Sequence, residues 1–399
     1  MASNPHHHQS HVVQTLHGHL YGRTRYNRHR LTFVNPPAHT TGKVQPLPKP
    51  TGKQPFRLDL KDVIPEEQYN AIVASDHLIF HTAGDTGGIK DPHPQEYVAA
   101  AMEDDFYEHP ADLSINPAFF YQLGDCVYFN GQAIDYYSQF YEPYEHYLAP
   151  ILAIPGNHDG DAVPPEASLE AFVRNYCADK PGFHSPDAHE IPRTAMIQPN
   201  VYWTLVTPQA RIIGLYTNVP AGGEIGPSQQ QWLENELSDA GKAKTAIIVT
   251  MHHPVYSADD HHSGSRPIHD ALTKAVKQAG VHPDLVLAGH VHDYQRFTRQ
   301  SSDDMERVYV VAGAGGYHNL HQIAKVNGEK PPFGTSLNVD GDLVRLESYV
   351  DDRNGFLRLE VSSEYIVGKY YVVNKAAEGP GQARLVDTFR IDWQNDRIM

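Results

Sequence analysis

The sequence predicts an α/β fold with buried sheets, on two observations. Seven short apolar runs, rich in β-branched and aromatic residues, alternate with segments of helical pattern, and most of the runs end in Gly or Pro. The C-terminal part, which contains NGFLRLEVSSEYIVGKYYVV and ARLVDTFRIDW, alternates apolar and polar residues instead. That alternation predicts antiparallel strands, over about residues 345–395, that close one sheet of the same domain.

The predicted elements follow one another in chain order. The strand runs are HLIFHTAGD, AFFYQLGD, PILAIPGNHD, ARIIGLYTN, TAIIVTMHHP, PDLVLAGHVH and RVYVVAGAGG. The helix candidates between them are EYVAAAMEDDFYEH, AIDYYSQFYEPYEHYL, SLEAFVRNYCAD, SQQQWLENELSDAG and IHDALTKAVKQAG. The last two helices end at Gly241 and Gly280, which suit a left-handed cap at a helix C-terminus.

The chain is predicted to consist of an arm and one domain. Residues 1–55 are rich in His and Pro and lack a periodic apolar pattern, which predicts an irregular arm, whereas residues 56–399 form the domain. Six histidines of the arm form a cluster for which we expect incidental metal affinity. They are His6, His7, His8, His11, His17 and His19.

Bulk properties exclude several classes of protein. The net charge of −16 argues against nucleic-acid binding by charge, so an anionic substrate needs a local positive site, which a bound metal can supply. Two cysteines, Cys126 and Cys177, are too few for a disulfide framework. No apolar run reaches the length of a membrane span, and the N-terminus lacks the apolar segment of a standard secretory signal. A cytoplasmic location is therefore expected.

Five of the apolar runs end in residues that bind metals. They are Asp85, then Asp125 with Tyr128, Asn157 with His158, His252, and His290 with His292, so that the motifs span residues 84–292. Ligands of open α/β sheets bind beyond the carboxyl ends of the strands, so these side chains can meet at one place. Carboxylate, amide, phenolate and imidazole donors without a thiolate suit Fe, Zn or Mn. Glycines that precede four of them allow the backbone to turn sharply.

The order of these motifs resembles the calcineurin-like metallophosphoesterases, over roughly residues 70–350. Most members of that superfamily open with Asp-x-His, whereas this chain has Asp85-Thr86-Gly87 and carries Tyr128 at the end of GDCVY. The full set of motifs is similar to the purple acid phosphatase pattern, which consists of GDxG and GDxxY, then GNH, VxxH and GHxH. The resemblance implies a sandwich of two mixed β-sheets flanked by helices.

The resemblance also implies two metal ions. The first would take Asp85, Asp125, Tyr128 and His292, and the second would take Asp125 as a bridge with Asn157, His252 and His290. A Tyr128 phenolate favours Fe(III) at the first position, with Fe, Zn or Mn at the second. Tyr128 could instead be a core residue, since the chain has 23 tyrosines.

Further residues are implied to face the substrate. Asn157 and His158 lie beside the metals, and His158 would bind phosphate or protonate the leaving oxygen. Asp159 is expected to orient a neighbouring histidine. His261 and His262 stand where plant purple acid phosphatases carry a substrate-facing histidine pair, and a solvated loop is the alternative. His253 is either a pocket residue or a surface histidine. The plant enzymes carry an additional β-sandwich domain, which the arm is too short and too Pro-rich to match.

The implied function is hydrolysis of small phosphate esters, in which a metal-bound hydroxide attacks phosphorus of a monoester. The first alternative is a phosphodiesterase on the same metals, acting on cyclic nucleotides, nucleotides or phospholipid headgroups. The second is a non-catalytic binding scaffold, and the third is metal storage by the histidine-rich arm. The motifs do not separate monoesters from diesters, and they do not indicate an oligomeric state.

Overall fold

A computed structural model describes residues 32–33, 46–108, 112–161, 164–220, 222–300, 305–339 and 342–399. Most of the predicted arm, including its histidine cluster, therefore lies outside the described residues. The α-helices are α1 (Glu66–Ser75), α2 (His93–Glu108), α3 (Asn157–Gly160), α4 (Glu170–Tyr176), α5 (Pro227–Ala243) and α6 (Arg266–Ala279). Within the described residues, no helix is long and apolar enough to span a bilayer.

The strands of the described chain run in the following order. They are β1 (Thr32–Phe33), β2 (Arg57–Asp59), β3 (Leu78–Ala83), β4 (Phe120–Gln122), β5 (Ile151–Ala153), β6 (Trp203–Val206), β7 (Ala210–Gly214), β8 (Asn218–Val219), β9 (Glu224–Ile225), β10 (Ala246–Met251), β11 (Leu285–Ala288), β12 (Tyr294–Gln300), β13 (Glu306–Ala312), β14 (Thr335–Val339), β15 (Asp342–Val350), β16 (Gly355–Val361), β17 (Tyr365–Val372), β18 (Arg384–Asp392) and β19 (Arg397–Ile398). Each of the seven predicted strand runs overlaps one of these strands.

These strands form two large mixed sheets. The larger has the order β1-β14-β15-β12-β13-β11-β10-β7-β6-β2, and the smaller has the order β19-β18-β17-β16-β3-β4-β5. In the larger sheet β7, β10, β11 and β13 are parallel, and β12 is antiparallel to β13. In the smaller sheet β3, β4 and β5 are parallel, and β16 is antiparallel to β3. Of the C-terminal strands, β16, β17 and β18 are antiparallel neighbours in the smaller sheet, whereas β15 is antiparallel to β14 in the larger sheet.

The two sheets pack face to face through aromatic side chains. Tyr121 on β4 stacks on Trp203 of β6 with ring centroids 5.9 Å apart, and Tyr294 on β12 stacks on Tyr370 of β17 at 3.8 Å. Each of these rings is at most 1% exposed. Large buried rings contribute strongly to the apolar area that stabilises a core, and here they join the two sheets. The predicted sandwich of two mixed sheets flanked by helices is confirmed.

Two local predictions were wrong. Residues 133–148 do not form a regular α-helix but a 3-10 turn at Ala133–Asp135 and a π-helical turn at Tyr137–Tyr141. Pro143 lies inside the predicted helix, where it lacks the N–H that the helix needs. Gly241 is likewise not a cap, because α5 continues to a left-handed Lys244.

The other cap prediction is confirmed. Gly280 ends α6 with φ 69°, and its N–H donates to the carbonyl oxygen of Val276. The two cysteines are buried and unpaired, in agreement with the absence of a disulfide framework.

Candidate metal centre

The strand ends that carry the predicted ligands come from both sheets. The loops after β3, β4 and β5 leave one edge of the smaller sheet, and the loops after β10 and β11 leave one edge of the larger sheet. Backbone hydrogen bonds join these loops pairwise: Asp85 N–H donates to Gly124 O at 2.9 Å, and Gly289 N–H donates to His252 O at 3.0 Å. The N–H of His290, in the loop after β11, donates to Asp85 Oδ2 at 2.7 Å, so loops of the two sheets meet at one place.

A first group of donor atoms consists of Asp85, Tyr128 and His292. The Tyr128 hydroxyl donates to Asp85 Oδ1 at 3.0 Å and lies 3.3 Å from His292 Nε2, which is 3.4 Å from Asp85 Oδ1. Ligand atoms that share one metal at bond lengths near 2.0–2.2 Å lie about 3–3.5 Å apart, so this triangle has the size of a coordination sphere's face. Tyr128 is fully buried, and its hydroxyl faces these two side chains rather than apolar neighbours alone.

A second group consists of Asp125, Asn157, His252 and His290. His252 Nε2 lies 3.3 Å from Asp125 Oδ2 and 3.1 Å from Asn157 Oδ1. One donor atom each of Asp125, His252 and His290 lies within 4.8 Å of the others. The buried amide nitrogen of Asn157 has no hydrogen-bond partner among the described residues. This donor set of oxygen and imidazole nitrogen fits a borderline metal ion such as Zn²⁺ or Fe.

Two histidines are turned toward these groups by hydrogen bonds on their far side. His252 Nδ1 lies 2.8 Å from Leu123 O, and His292 Nδ1 lies 2.8 Å from Asn319 O. A carbonyl oxygen can only accept, so Nδ1 carries the proton and Nε2 faces the other donors. Histidine ligands of metals are held in this way in many proteins.

The backbone at three predicted ligands is left-handed although none of them is glycine. The φ angles are 57° at Asp85, 51° at Asp125 and 70° at His290. Such conformations cost of order 1–3 kcal/mol each and cluster at functional sites. Of the four preceding glycines, Gly124 has φ 93°, whereas Gly156 is needed for close approach, since a Cβ there would overlap Asp125 Oδ1. The left-handed backbone therefore lies mostly at the predicted ligands and not at the glycines before them.

Burial and charge set the protonation of these groups. Burial opposes ionisation of Asp125, but nearby His252 and His158 hold the pKa of its carboxyl below its usual value. Burial lowers the pKa of His252, yet Asp125 outweighs it and raises this pKa to about 9. Burial and the charge of Asp85 raise the pKa of Tyr128 well above its usual range. In the metal-free protein, protons therefore occupy positions where a cation would replace them.

A family model described as calcineurin-like phosphoesterase matches residues 60–294, which is more than half of the chain. This chain belongs to that family. It is 34% identical over 134 residues to probable purple acid phosphatase 20 of Arabidopsis thaliana, a match that covers 31% of this chain and 30% of the relative. It is 30% identical over 187 residues to the Fe(3+)-Zn(2+) purple acid phosphatase 12 of the same plant, covering 42% of this chain and 36% of the relative.

These matches span about a third of the length of the curated relatives. Among solved structures, purple acid phosphatase PPD1 from yellow lupin (Lupinus luteus) seeds aligns with a TM-score of 0.55 at 17% identity, covering 79% of this chain and 54% of that one. GAP50, the anchor in the inner membrane complex of Plasmodium, aligns with a TM-score of 0.52 at 16% identity, covering 78% of this chain and 89% of that one. At these identities the likeness concerns the phosphoesterase fold alone.

His158 lies at the edge of the two donor groups. Its N–H donates to Asp125 Oδ1 at 2.8 Å, and its Nδ1 lies 2.6 Å from Phe129 O. The side chain is 22% exposed, and its ring lies 4.7 Å from that of Tyr128. The ring is thus held from one side, and Nε2 is the nitrogen left for a bound molecule.

Asp159 does not orient a histidine, contrary to expectation. Its carboxylate accepts the N–H groups of Gly156 at 2.8 Å, Cys126 at 3.1 Å and Val127 at 3.2 Å. Burial and the neighbouring charge of Asp125 raise its pKa to about 7. Asp159 therefore ties the loop after β4 to the start of α3, because adjacent backbone amides of both loops point at it.

The remaining predicted histidines differ in how deeply they are buried. His253 is 7% exposed and its Nδ1 lies 2.9 Å from Thr217 Oγ1, so it is not a surface residue. His262 is 6% exposed with its ring 4.6 Å from that of His290, whereas His261 is exposed. The solvated-loop alternative describes His261 but not His262.

Sequence reasoning missed the segment after β13. Tyr317 stacks on Tyr128 with ring centroids 4.1 Å apart, and the ring of His321 lies 4.3 Å from that of His292. The signal was present in RVYVVAGAGGYHNLHQ, an apolar run that ends in glycines and continues into aromatic and histidine residues. Like the five runs that end in predicted metal ligands, it is an apolar run followed directly by residues that can bind a ligand.

Proposed function

We propose that this chain hydrolyses small phosphate esters at a centre of two metal ions, as a phosphomonoesterase of the purple acid phosphatase kind. The observation that carries the proposal is the meeting of the Tyr128 hydroxyl with Asp85 Oδ1 and His292 Nε2, all within 3.4 Å of one another, beside a second donor group. The relatives named as purple acid phosphatases support it.

One metal would be held by Asp85, Tyr128 and His292, and the other by Asn157, His252 and His290. Asp125 would bind both metals. A tyrosinate ligand favours Fe(III) at the first position, and the name of the Fe(3+)-Zn(2+) relative supports a mixed pair. The bound metals would supply Lewis acidity toward the phosphoryl oxygens and lower the pKa of a coordinated water.

The residues around the metals position the ester and move its proton. His158 is oriented by Phe129 O and presents Nε2 toward the substrate side, where it would donate a proton to the leaving oxygen. The backbone N–H of His158 donates to Asp125 Oδ1 at 2.8 Å, which holds this proton donor next to a proposed metal ligand. Asn157 would contact the phosphate through its amide nitrogen.

His253 and His262 would line the phosphate pocket. Burial and the surrounding histidines lower the pKa of His262, so it would act as a neutral hydrogen-bond donor rather than a fixed positive charge. The ring of His253 lies 4.3 Å from that of His290, which places it beside the second donor group. His261, being exposed, would contact the substrate at the rim.

The test is hydrolysis of p-nitrophenyl phosphate and bis-p-nitrophenyl phosphate by metal-loaded protein of known metal content. We expect turnover of the monoester, lost in Asp125→Asn and retained in Asp179→Asn, whose exposed carboxylate serves as the matched control. Turnover of the diester alone would establish the phosphodiesterase alternative. No turnover of either ester with both metals bound would establish the binding scaffold.

A further inference from the structure

One cationic side chain stands beside the donor groups without being a metal ligand. Lys90 lies in the loop that follows β3 and carries Asp85, and its side chain is exposed. Its Nζ lies 5.1 Å from the centroid of the Phe129 ring. An ammonium group at this distance from the face of an aromatic ring is attracted by the ring. The loop after β3 therefore presents a positive charge that Phe129 helps to hold in place.

Phe129 itself borders the residues that would act on the ester. The centroid of its ring lies 6.2 Å from that of His158 and 6.2 Å from that of Tyr317. Its carbonyl oxygen lies 2.6 Å from His158 Nδ1. Lys90 and His158 are thus neighbours of the same residue, so a leaving group that His158 protonates emerges on the side of the centre where the Lys90 ammonium lies.

The charge of Lys90 is not neutralised by an acidic partner among the described residues. The carboxylate of the adjacent Asp91 instead lies 2.6 Å from Nδ1 of His93. Burial and the charge of Lys90 both lower the pKa of His318, the residue that follows Tyr317, so the ammonium acts on this side of the centre. In a chain with a net charge of −16, such a local positive charge attracts anions to one place.

The backbone at Lys90 does not by itself explain a lysine there. Its φ angle is 70°, in the left-handed region that residues other than glycine seldom adopt. Glycine takes this conformation without steric cost, so the turn alone would favour glycine over lysine. The feature that a lysine adds at this position is its long cationic side chain.

We propose that Lys90 selects phosphate monoesters whose leaving group carries a second anionic group, either a carboxylate or another phosphate. The phosphoryl group to be hydrolysed binds at the two metals, and the Lys90 ammonium, positioned by Phe129, pairs with the second anion. This inference deepens the proposed hydrolysis and rests on it.

The test compares three esters that share one aryl scaffold, with metal-loaded full chain. They are p-carboxyphenyl phosphate, p-phenylene bisphosphate and the neutral reference p-carbamoylphenyl phosphate. The variants are Lys90→Gln, which keeps the length of a polar side chain, and Lys90→Glu, which reverses the charge. Lys242→Gln is the matched control, because Lys242 is 72% exposed and pairs with Asp239 on its own helix. Each ester is compared with itself across variants, so differences between leaving groups cancel.

We expect Lys90→Gln to lower kcat/KM by about 5-fold for the two charged esters, the upper range for an exposed ion pair, and Lys90→Glu to lower it further. The loss should appear in KM, because the pair forms equally in the bound substrate and in the transition state. The neutral ester should be hydrolysed equally by wild type, both Lys90 variants and the control. Phe129→Leu keeps the carbonyl that faces His158 and should lose part of the preference for charged esters.

A loss confined to one charged ester would support the proposal and identify the anion as carboxylate or phosphate. Unchanged kcat/KM for both charged esters in Lys90→Glu would overturn it, as would an equal loss on all three esters. These results differ from failure of the proposed hydrolysis, in which the wild type with both metals bound turns over none of the three and the selectivity falls with it.

Discussion

Asp125→Asn tests the contact between Asp125 and His252 without changing the shape of the side chain. In the metal-free protein the carboxylate lies 3.3 Å from His252 Nε2, and both groups are buried. Despite the burial of His252, Asp125 raises its pKa from 6.5 to about 9. At 1.36 kcal/mol for each pKa unit, the difference corresponds to about 3 kcal/mol. The variant loses this stabilisation and leaves a buried imidazole that resists protonation.

The pH dependence follows from the direction of the shift. Because the folded-state pKa of His252 is raised, its contribution to stability is fully present below pH 6.5 and is lost as pH rises through about 9. Asp125 stays ionised over this range, since its pKa is lowered. The difference in unfolding free energy between wild type and Asp125→Asn should therefore be about 3 kcal/mol larger at pH 6 than at pH 10.

Urea denaturation of both metal-free proteins at the two pH values measures this difference. Other titrating groups are common to both proteins, so their effects cancel to first order. An unfolding free-energy difference that is the same at pH 6 and pH 10 would contradict this prediction, because it would mean that no charge interaction joins Asp125 to His252.

Three further predictions concern the same centre. His158→Ala should keep its metal content and lose about 10²–10⁴-fold in kcat, measured by steady-state kinetics beside elemental analysis, and an unchanged kcat would remove His158 from the chemistry. Tyr128→Phe should abolish the visible charge-transfer band expected of the Fe(III)-loaded protein, so a persistent band would exclude Tyr128 as a ligand. Gly156→Ala should lower the unfolding free energy by about 1–3 kcal/mol in denaturation experiments, because the added Cβ overlaps Asp125 Oδ1. Gly226→Ala, where nothing lies within 4 Å of the added Cβ, is its control, and equal stability of the two variants would contradict the overlap.

The strands and the two donor groups could be predicted because their signals are local. Each of the strands β3, β4, β5, β10 and β11 is an apolar run, and its ligand follows within a few residues. The carboxyl ends of parallel strands share an edge, so Asp85 and Asp125 had to lie near each other once the sheet was assumed. The remaining ligands could be predicted from the order of the motifs along the chain, through the family resemblance.

The features that could not be predicted depend on contacts between distant segments. The carbonyl oxygen of Gln139 accepts a hydrogen bond from the side chain of Gln95. The side chain of Gln139 bonds the backbone of Tyr128. With these contacts and Pro143, the segment forms short turns in place of the expected helix. The approach of His321 to His262 joins segments about sixty residues apart, and no local pattern reports it. The left-handed backbone at Asp85, Asp125 and His290 is similarly imposed by the surrounding loops, although Asp and His adopt it more readily than most other non-glycine residues.

Anomalous diffraction from crystals of the metal-loaded protein would locate the two metal ions and their ligands directly. We expect two strong peaks about 3.5–4 Å apart, one contacted by Asp85, Tyr128 and His292, the other by Asn157, His252 and His290, with Asp125 between them. A single peak, or peaks that Asp125 does not touch, would contradict it.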